Sequence, residues 1–398
     1  MEQTTDSIDI TQVRADTPAV QQRLHLNNAG AALMPASVVA AVADHIQLEA
    51  RLGGYEAAAE MASSIDSVYD EVAALIGARR DEIALLDNAT AAWDQAFYAL
   101  EFKPGDRILT AQAEYAANYV AFLQRAHRDG VIIDVIPNDE NGAVDVTALE
   151  NMLDERVALI AITWIPTNGG LVNPAQAIGQ IARRYNIPYL LDACQAVGQM
   201  PVDVHELGCD FLSATGRKFL RGPRGTGFLY VRKTWLETLE PAMLDHFAAT
   251  WVTRDTYALR PDARRFENWE NAYALRLGLG EAVRYTRHIG LPAIQQRAWA
   301  LADYLRDSLA TLPQTRHYDL GAERCAIVSF SVAGLDPNQA QLALRQQDIN
   351  ISVIPPSSTR LDTEARQLSP LMRASPHYYN TRDEIDRFIT VLDTLLCN

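Results

Sequence analysis

The sequence predicts an α/β protein built on one large, mainly parallel β-sheet. Short apolar runs alternate with helix-length amphipathic segments, which is the pattern of strands connected by helices. The runs are rich in Val, Ile and Leu, as strands buried on both faces tend to be. No internal repeat or low-complexity stretch interrupts this alternation. We therefore expect a central sheet sandwiched by helices.

Seven apolar runs are the candidate strands of this sheet, because each is short and bounded by turn or helix-start signals. The predicted strands are 83–86, 107–110, 131–137, 157–165, 188–193, 210–214 and 225–231. Asn, Thr or Pro introduces several of the segments between them, as is typical of helix starts. The predicted helices are 90–100, 117–128, 146–153 and 175–185.

The rhythm of the sequence changes after Val231 and predicts a second, smaller α+β unit. Its segments are a loop-like stretch at 248–264, helices at 272–285, 293–311 and 381–396, and strands at 326–332 and 349–353. We expect three parts in the chain. They are an N-terminal arm at 1–25, a large domain at 26–285 and a small C-terminal domain at 286–398.

Composition limits the functional classes. The chain has 398 residues, 48% of them apolar, enough for a large buried core. It has neither a long uncharged apolar stretch nor a signal-like N-terminus, so we expect a cytoplasmic location without a membrane partner. A formal charge of −15 argues against a nucleic-acid partner. The cysteines are scattered without a CxxC pair, which favours neither a disulfide framework nor a metal site.

The chemistry centres on one lysine and one carboxylate. Lys218 lies between a predicted strand and a glycine-rich turn, and Asp192 ends another strand. A lysine can form an imine with the aldehyde of pyridoxal phosphate (PLP) and move the proton from Cα of the substrate. A buried carboxylate keeps the pyridine nitrogen protonated by charge pairing, and Gln195 is placed to hydrogen-bond the phenolic oxygen. These residues predict a PLP enzyme, whereas a nicotinamide enzyme is disfavoured because no early GxGxxG follows a strand.

Three motifs carry a more specific resemblance. They are Asp192-Ala-Cys-Gln195, Ser213-Ala-Thr-Gly-Arg-Lys218 and Gly222-Pro-Arg-Gly-Thr-Gly-Phe228. In order and spacing they resemble the cofactor signatures of the class V aminotransferase family, which includes cysteine desulfurases, isopenicillin N epimerase and C–S lyases. The resemblance implies the fold of PLP-dependent fold-type I enzymes. It also implies a homodimer with its active sites at the subunit interface.

The resemblance implies further cofactor contacts. Tyr115 falls where the family stacks an aromatic or His ring on the cofactor, with core packing as the plain alternative. Ala89 and Thr90 occupy a strand-to-helix junction suited to phosphate, although Thr90 also suits an ordinary N-cap. Thr215 and Arg217 complete the phosphate cradle, and the family often has His where Arg217 stands.

Two segments match regions through which relatives reach the neighbouring subunit. Tyr55 follows Gly53 and Gly54 in a segment that resembles a loop reaching the other site. Asn268 and Trp269 fall where relatives contribute phosphate contacts across the interface, and they replace the usual Gly-Thr pair. Trp269 is equally consistent with an interface anchor.

The resemblance also assigns a pocket for an amino-acid substrate. Arg373 matches the family arginine that holds the α-carboxylate, a role suited to a guanidinium fork. The residues expected to line the same pocket are Asn28, Ala29, Gly30, Thr167 and Asn168. We expect Arg221 and Arg224 either to contact an anionic or imidazole-bearing distal group or to be surface charges.

The reaction is predicted from a missing thiol. Cysteine desulfurases carry a nucleophilic cysteine before the carboxylate-binding arginine, but residues 351–360 contain none. The lysine turn is one residue longer than in most desulfurases, and the Pro166 to Pro174 run leans towards lyases. The leading hypothesis is C–S β-elimination from a cysteine derivative, S-conjugate or sulfoxide, with release of pyruvate and ammonia. Transamination or epimerisation is the alternative, because both pass through the same carbanion. A non-catalytic PLP-binding regulator is disfavoured because no basic helix-turn-helix segment is evident.

Overall fold

A computed structural model describes residues 8–312 and 314–396. Its α-helices are α1 Ile10–Ala15, α2 Ala36–Leu52, α3 Gly54–Glu60, α4 Ala62–Leu75, α5 Ala89–Ala99, α6 Ala116–Asp129, α7 Val146–Asn151, α8 Ala175–Tyr185, α9 Val204–Leu207, α10 Tyr273–Ile289, α11 Leu291–Ala310, α12 Pro337–Gln346, α13 Arg360–Ala365 and α14 Arg382–Leu396. Its strands are β1 Leu24–His25, β2 Ile83–Leu86, β3 Arg107–Ala111, β4 Ile132–Ile136, β5 Val157–Thr163, β6 Tyr189–Asp192, β7 Phe211–Thr215, β8 Gly227–Val231, β9 Ala249–Thr253, β10 Thr256–Leu259, β11 Thr315–His317, β12 Val328–Val332, β13 Ile349–Asn350, β14 Ser352–Ile354 and β15 Leu371–Ala374.

The central sheet has seven strands in the order β2-β8-β7-β6-β5-β3-β4. The strands β7, β6, β5, β3 and β4 run parallel to one another, and β8 is antiparallel to both of its neighbours. Every strand predicted between residues 83 and 231 belongs to this sheet. The predicted α/β fold class, with a mainly parallel seven-stranded sheet, is therefore confirmed.

Successive residues of the central strands pack into different halves of the core. In β6, Leu190 belongs to one hydrophobic cluster and Leu191 to another. Phe211 and Leu212 divide in the same way in β7. Because neighbouring side chains of a strand point to opposite faces, the sheet is covered by helices on both sides. This double burial explains why its strands read as continuous apolar runs.

A second, antiparallel sheet follows the order β11-β12-β15-β14 and carries Arg373 on β15. The single strand predicted at 349–353 is two strands that pair in different places. Ile349 and Asn350 pair with β1, whereas Ser352 begins the pairing with β15. The chain changes partners at Ile351, which an apolar pattern alone does not reveal.

The stretch 248–264 is not the predicted loop. It contains the hairpin of β9 and β10, joined through Arg254 and Asp255. Trp251 is 76% exposed and Tyr257 is 53% exposed, so the hairpin lacks the buried apolar run by which a core strand is recognised. Its β-branched and aromatic residues were the available signal.

The N-terminal segment is tied to the C-terminal part of the chain. Strand β1 pairs in parallel with β13, and Asn27 forms an isolated bridge with Ser375. This pairing places residues 27–32 against the ends of the central strands. The division at residues 25 and 285 stays a prediction. Within 8–312 and 314–396, no helix is long and apolar enough to cross a membrane.

Candidate active site

The candidate site lies where parallel strands of the central sheet end. Strand β6 ends at Asp192, and β7 ends three residues before Lys218. The carboxyl ends of neighbouring parallel strands meet at one edge of the sheet, where ligands of α/β proteins bind. Burial lowers the pKa of Lys218, and the positive charge of Arg217 lowers it further. The charges of Cys194 and Asp192 act in the opposite direction and raise this pKa. The electrostatic interaction between Lys218 and Asp192 indicates that the predicted lysine and acid lie close together.

Hydrogen bonds fix the orientation of the Asp192 carboxylate. Its Oδ1 accepts from the backbone N–H of Cys194 at 2.9 Å, and its Oδ2 accepts from Nδ2 of Asn118 at 3.0 Å. The residue is buried. These donors stabilise the anion that the pairing with a protonated pyridine nitrogen requires.

Tyr115 lies at the N-terminal end of α6, beside the same pocket. Burial raises the pKa of the Tyr115 hydroxyl, and the charges of Asp192 and Cys194 raise it further. The charges of Arg217 and Arg373 lower it. The ring is 37% exposed and thus is not an ordinary core residue. That its ring stacks on a planar ligand stays a prediction.

The predicted phosphate end is the start of α5. Ala89 and Thr90 are its first residues, and the Asn88 side chain accepts from the N–H of Ala91 at 2.9 Å. The remaining N–H groups of a first helical turn have no partner within the helix and suit an anion. A Cβ on Gly227 would lie 2.9 Å from the nitrogen of Ala89, so strand β8 passes close beneath the helix start.

Two further predicted phosphate residues adjoin the lysine turn. Thr215 is buried and donates its hydroxyl to the carbonyl of Thr226 at 3.2 Å. Arg217 donates from Nη1 to the carbonyl of Gly30 and has no ion pair within the described residues. Burial lowers the pKa of Arg217, and the charge of Arg224 lowers it further. An anion beside Arg217 would relieve both effects.

Arg373 forms the predicted substrate end. Its Nη1 donates to the carbonyl and hydroxyl of Thr167 at 3.0 and 2.7 Å, and its Nη2 approaches Oδ1 of Asn27 at 3.5 Å. Burial lowers the pKa of this guanidinium to about 10, and Arg217 lowers it further. The residue is buried without an acidic partner in the described parts of the chain, which suits a carboxylate ligand.

Several buried polar atoms of the site lack a partner among the described residues. They are Oε1 of Gln195, Oδ1 of Asn168 and Nε of Arg373. Buried polar atoms are normally paired, so these atoms indicate a pocket built for a polar ligand. Gln195 donates from Nε2 to the carbonyl of Ala29 at 3.2 Å, and a donor towards the phenolic oxygen requires the opposite amide orientation.

The donor set fits PLP. Lys218 offers an amine to the aldehyde, Asp192 an anion to the ring nitrogen, and Tyr115 a ring face. The α5 N-terminus and Arg217 offer N–H groups to the phosphate.

Arg221 is a structural residue rather than the expected substrate contact or surface charge. It is 1% exposed, and its guanidinium donates to the carbonyl of Leu33 at 2.8 Å, the hydroxyl of Tyr378 at 2.7 Å and the hydroxyl of Thr17 at 2.6 Å. It also lies over the ring of Tyr379, 4.6 Å from its centroid. With all three nitrogens engaged, it has no free face for a substrate. Arg224 is exposed, in agreement with the second of its two expectations, a surface charge.

Asn28 also differs from the expectation of a substrate contact. Its Nδ2 donates to the carbonyl of Ser375 at 2.7 Å, and its Oδ1 accepts from the hydroxyl of Tyr379. The side chain is fully buried. It therefore ties the N-terminal segment to the C-terminal one, while Ala29 and Gly30 meet Gln195 and Arg217 through their carbonyls.

Tyr55, Asn268 and Trp269 are not brought to Lys218 within this chain. Tyr55 is 74% exposed and Trp269 is 46% exposed. Trp269 stacks on His246 with ring centroids 4.8 Å apart. That these residues reach the site of a second subunit stays a prediction.

Sequence reasoning missed a polar network beneath Asp192. Glu114, Asn118 and Thr163 are all buried and hydrogen-bonded to one another. The signal for two of them was a pair of polar residues at a strand-to-helix junction, Glu114 just before α6 and Asn118 in its first turn. Thr359 was also missed, and it accepts from Nδ2 of Asn168.

A mainly parallel sheet with a half-buried lysine and a buried acid near its strand ends, and with an arginine that has no acidic partner among the described residues, defines a PLP-dependent enzyme of fold type I. The family described as Aminotransferase class-V matches residues 24–388. The chain belongs to this family, and its cofactor is PLP.

Relatives cover nearly the whole chain. The cysteine desulfurase of Pectobacterium atrosepticum is 30% identical over 98% of each chain. The probable cysteine desulfurase of Methanothermobacter thermautotrophicus is 30% identical over 94% of each. Among solved structures, the apo cysteine desulfurase of Thermococcus onnurineus NA1 matches with a TM-score of 0.90 at 26% identity, covering 98% of each chain. The cystine C-S lyase C-DES, in complex with cysteine persulfide, has a TM-score of 0.84 at 23% identity over 94% of this chain and 98% of its own, a likeness in fold.

Proposed function

We propose that this enzyme is a C–S β-lyase that acts on a cysteine derivative, S-conjugate or sulfoxide. For a thioether substrate, the Cβ–S bond breaks, the sulfur leaves as a thiol, and water converts the remaining fragment into pyruvate and ammonia. The main support for this proposal is that the segment 351–360 has no thiol. Its Thr359 is buried against Asn168 of the site, so the segment packs on the pocket without supplying a sulfur acceptor.

The residues of the pocket divide the work. Arg373 holds the α-carboxylate and thereby fixes the position of Cα. Lys218 takes the Cα proton, and its lowered pKa leaves more of the amine neutral near pH 7. Bound PLP supplies an electron sink for the charge that develops at Cα. Asp192 keeps a negative charge beside the ring nitrogen, and Tyr115 covers one ring face.

Cys194 is a described thiol near Lys218, but its environment argues against a role as sulfur acceptor. Burial raises the pKa of this thiol well above its usual value, and the charge of Asp192 adds to the shift. The thiolate is the nucleophilic form of cysteine, so this side chain stays protonated at neutral pH.

Product analysis tests the proposal. The holoenzyme is incubated with L-cysteine, S-substituted cysteines and their sulfoxides, and pyruvate, alanine, ammonia and released thiol are measured. A lyase yields pyruvate and ammonia in equal amounts, and Cys194→Ala yields the same products. Alanine together with a protein-bound persulfide would instead identify a desulfurase. Keto-acid-dependent conversion of the cofactor to its amine form, without pyruvate, would identify an aminotransferase.

We also propose that the enzyme is a homodimer that works in the cytoplasm. Large apolar side chains are exposed around one groove and the nearby hairpin, which a second copy would cover. They are Ile46, Tyr55, Met243, Trp251 and Trp269. Sedimentation is expected to give twice the chain mass, and Trp251→Glu is expected to shift it towards the monomer. A monomeric wild type would contradict the dimer.

A further inference from the structure

Glu114 is a buried carboxyl group that the proposed chemistry does not use. It is 3% exposed and has no ion pair within 8–312 and 314–396. Its oxygens accept from the hydroxyl of Thr110 at 3.1 Å, the N–H of Tyr115 at 3.0 Å and the N–H of Thr163 at 3.0 Å, and also from the Thr163 hydroxyl. Burying a carboxylate costs solvation free energy that such donors only partly offset. A group held this way, directly beneath a reactive pocket, points to a role there.

One amide links this carboxyl to Asp192. Nδ2 of Asn118 lies 2.8 Å from Oε1 of Glu114 and 3.0 Å from Oδ2 of Asp192. An Asn amide nitrogen carries two hydrogens, and both neighbours are acceptors when ionised. The amide must therefore present its nitrogen to both carboxyl groups. The result is a carboxyl–amide–carboxyl chain.

This carboxyl–amide–carboxyl chain follows from the order of the strands in the sheet. Glu114 precedes α6, Asn118 lies in its first turn, and Asp192 ends β6. Strand β5, which ends at Thr163, lies between β3 and β6, and the Thr163 hydroxyl also contacts Glu114. Rigid strand ends thus hold both ends of the chain in place, as a positioning role requires.

We propose that Glu114 is a positioning residue that acts through Asn118 to orient Asp192 and to favour a cation, the protonated pyridine nitrogen of PLP, beside it. The proposal depends on bound PLP and on Asp192 facing the ring nitrogen, not on which amino acid the enzyme cleaves. Asn118 is the intermediate of the chain, since its amide is the contact that Glu114 and Asp192 share.

The charge of Glu114 is itself sensitive to pH near neutrality. Burial raises the pKa of Glu114 to about 7, the hydrogen bonds from Thr163 and Asn118 lower it, and the charge of Asp192 raises it. Burial raises the pKa of Tyr189, and the charges of Cys209 and Glu114 raise it further. The titratable and charged groups that face Asp192 are Tyr115, Cys194 and Lys218.

Titration of the bound cofactor tests the proposal without any substrate. The holoenzyme and its Glu114→Gln variant are titrated while the visible absorbance of PLP is followed. Loss of a nearby negative charge disfavours protonated forms of the cofactor, so the midpoint is expected to fall by about one pH unit. The dissociation of PLP is expected to become faster. The same midpoint in both proteins would overturn the proposal.

Glu82→Gln is the matched control. Glu82 is also buried, and its carboxylate accepts from the backbone N–H groups of Arg79 at 3.0 Å and Lys233 at 2.9 Å, away from the pocket. Its midpoint is expected to equal that of the wild type. An equal shift in both variants would make the effect one of general destabilisation and overturn the assigned role.

The role of the Asn118 amide between the two carboxyl groups is tested with Asn118→Leu. In this background the Glu114→Gln shift is expected to shrink to less than half, because the amide no longer connects the two carboxyl groups. A full, additive shift would overturn the role of Asn118. Should Glu114→Gln fail to fold, Asn118→Ala is titrated instead, and an unchanged midpoint overturns the proposal. Product analysis has no bearing on these midpoints, so a failure of the lyase assignment is separately visible.

Discussion

Arg221→Met is the sharpest test of how the lysine turn is held. Arg221 has a left-handed φ of 61°, its N–H donates to the carbonyl of Lys218 at 2.9 Å, and its side chain reaches the N-terminal arm at Thr17 and the C-terminal segment at Tyr378. Methionine has a similar length but neither charge nor donors. The variant thus removes the side-chain links while leaving the volume of the cluster nearly filled.

The magnitude follows from the groups left behind. The Tyr378 hydroxyl and the Leu33 carbonyl lose their donor, at about 1–3 kcal/mol for each buried polar group left unpaired. The Thr17 hydroxyl still donates to the carbonyl of Val13 at 2.7 Å and loses less. Part of this cost is offset because a guanidinium no longer has to be desolvated. We expect a net loss of about 3 kcal/mol in the free energy of unfolding.

The assay is denaturant unfolding of the PLP-saturated enzyme, together with KM for the best substrate. Arg224→Met is the control for stability, because Arg224 is exposed and has no ion pair within the described residues, and its unfolding is expected to match the wild type. If Arg221→Met unfolds like the wild type while KM rises tenfold or more, the guanidinium binds substrate and the structural role is refuted.

Three further predictions concern the pocket. Lys218→Ala is expected to lose the visible imine band and all turnover, whereas Lys233→Ala, an exposed lysine 3.3 Å from Asp81, keeps both; a band that persists in the first variant removes Lys218 from its role. Arg373→Lys is expected to raise KM for amino acids about 10- to 100-fold with unchanged cofactor absorbance, because it loses a charged two-point contact. Steady-state kinetics that show a less than threefold rise in KM would contradict this. The rate at which apoenzyme takes up PLP is expected to increase with pH to a midpoint below 10.5, because burial lowers the pKa of Lys218 from that value and only the neutral amine attacks the aldehyde; a pH–rate profile with its midpoint at or above 10.5 would refute the lowered pKa.

The elements that the sequence predicted well are those whose pattern is local. Helix α8 spans the predicted 175–185, since Pro174 precedes it and Asn186 ends it with a left-handed φ of 54°. The strand before Asp192 is an apolar run with no competing interpretation. The hairpin at Trp251 was missed because its strands are exposed, and the change of partner at Ile351 was missed because pairing is set by distant segments.

The site divides in a similar way. Lys218 and Asp192 were predicted because each adjoins a strand with a recognisable end. Arg221 was misassigned because it is three residues from Lys218 in sequence, while its left-handed backbone turns the side chain into a cluster with Thr17 and Tyr378. Closeness along the chain does not determine where a side chain points.

The sequence by itself determined the sheet and the cofactor and predicted the reactive lysine and the acid, because strand periodicity and glycine-rich turns act over a few residues. Only the tertiary structure decided which polar groups share a pocket. It joined Glu114 to Asp192 through Asn118, and it brought Ala29 and Gly30 against the pocket. Those contacts link elements far apart in the chain, and their geometry depends on how the sheet and the helices pack together.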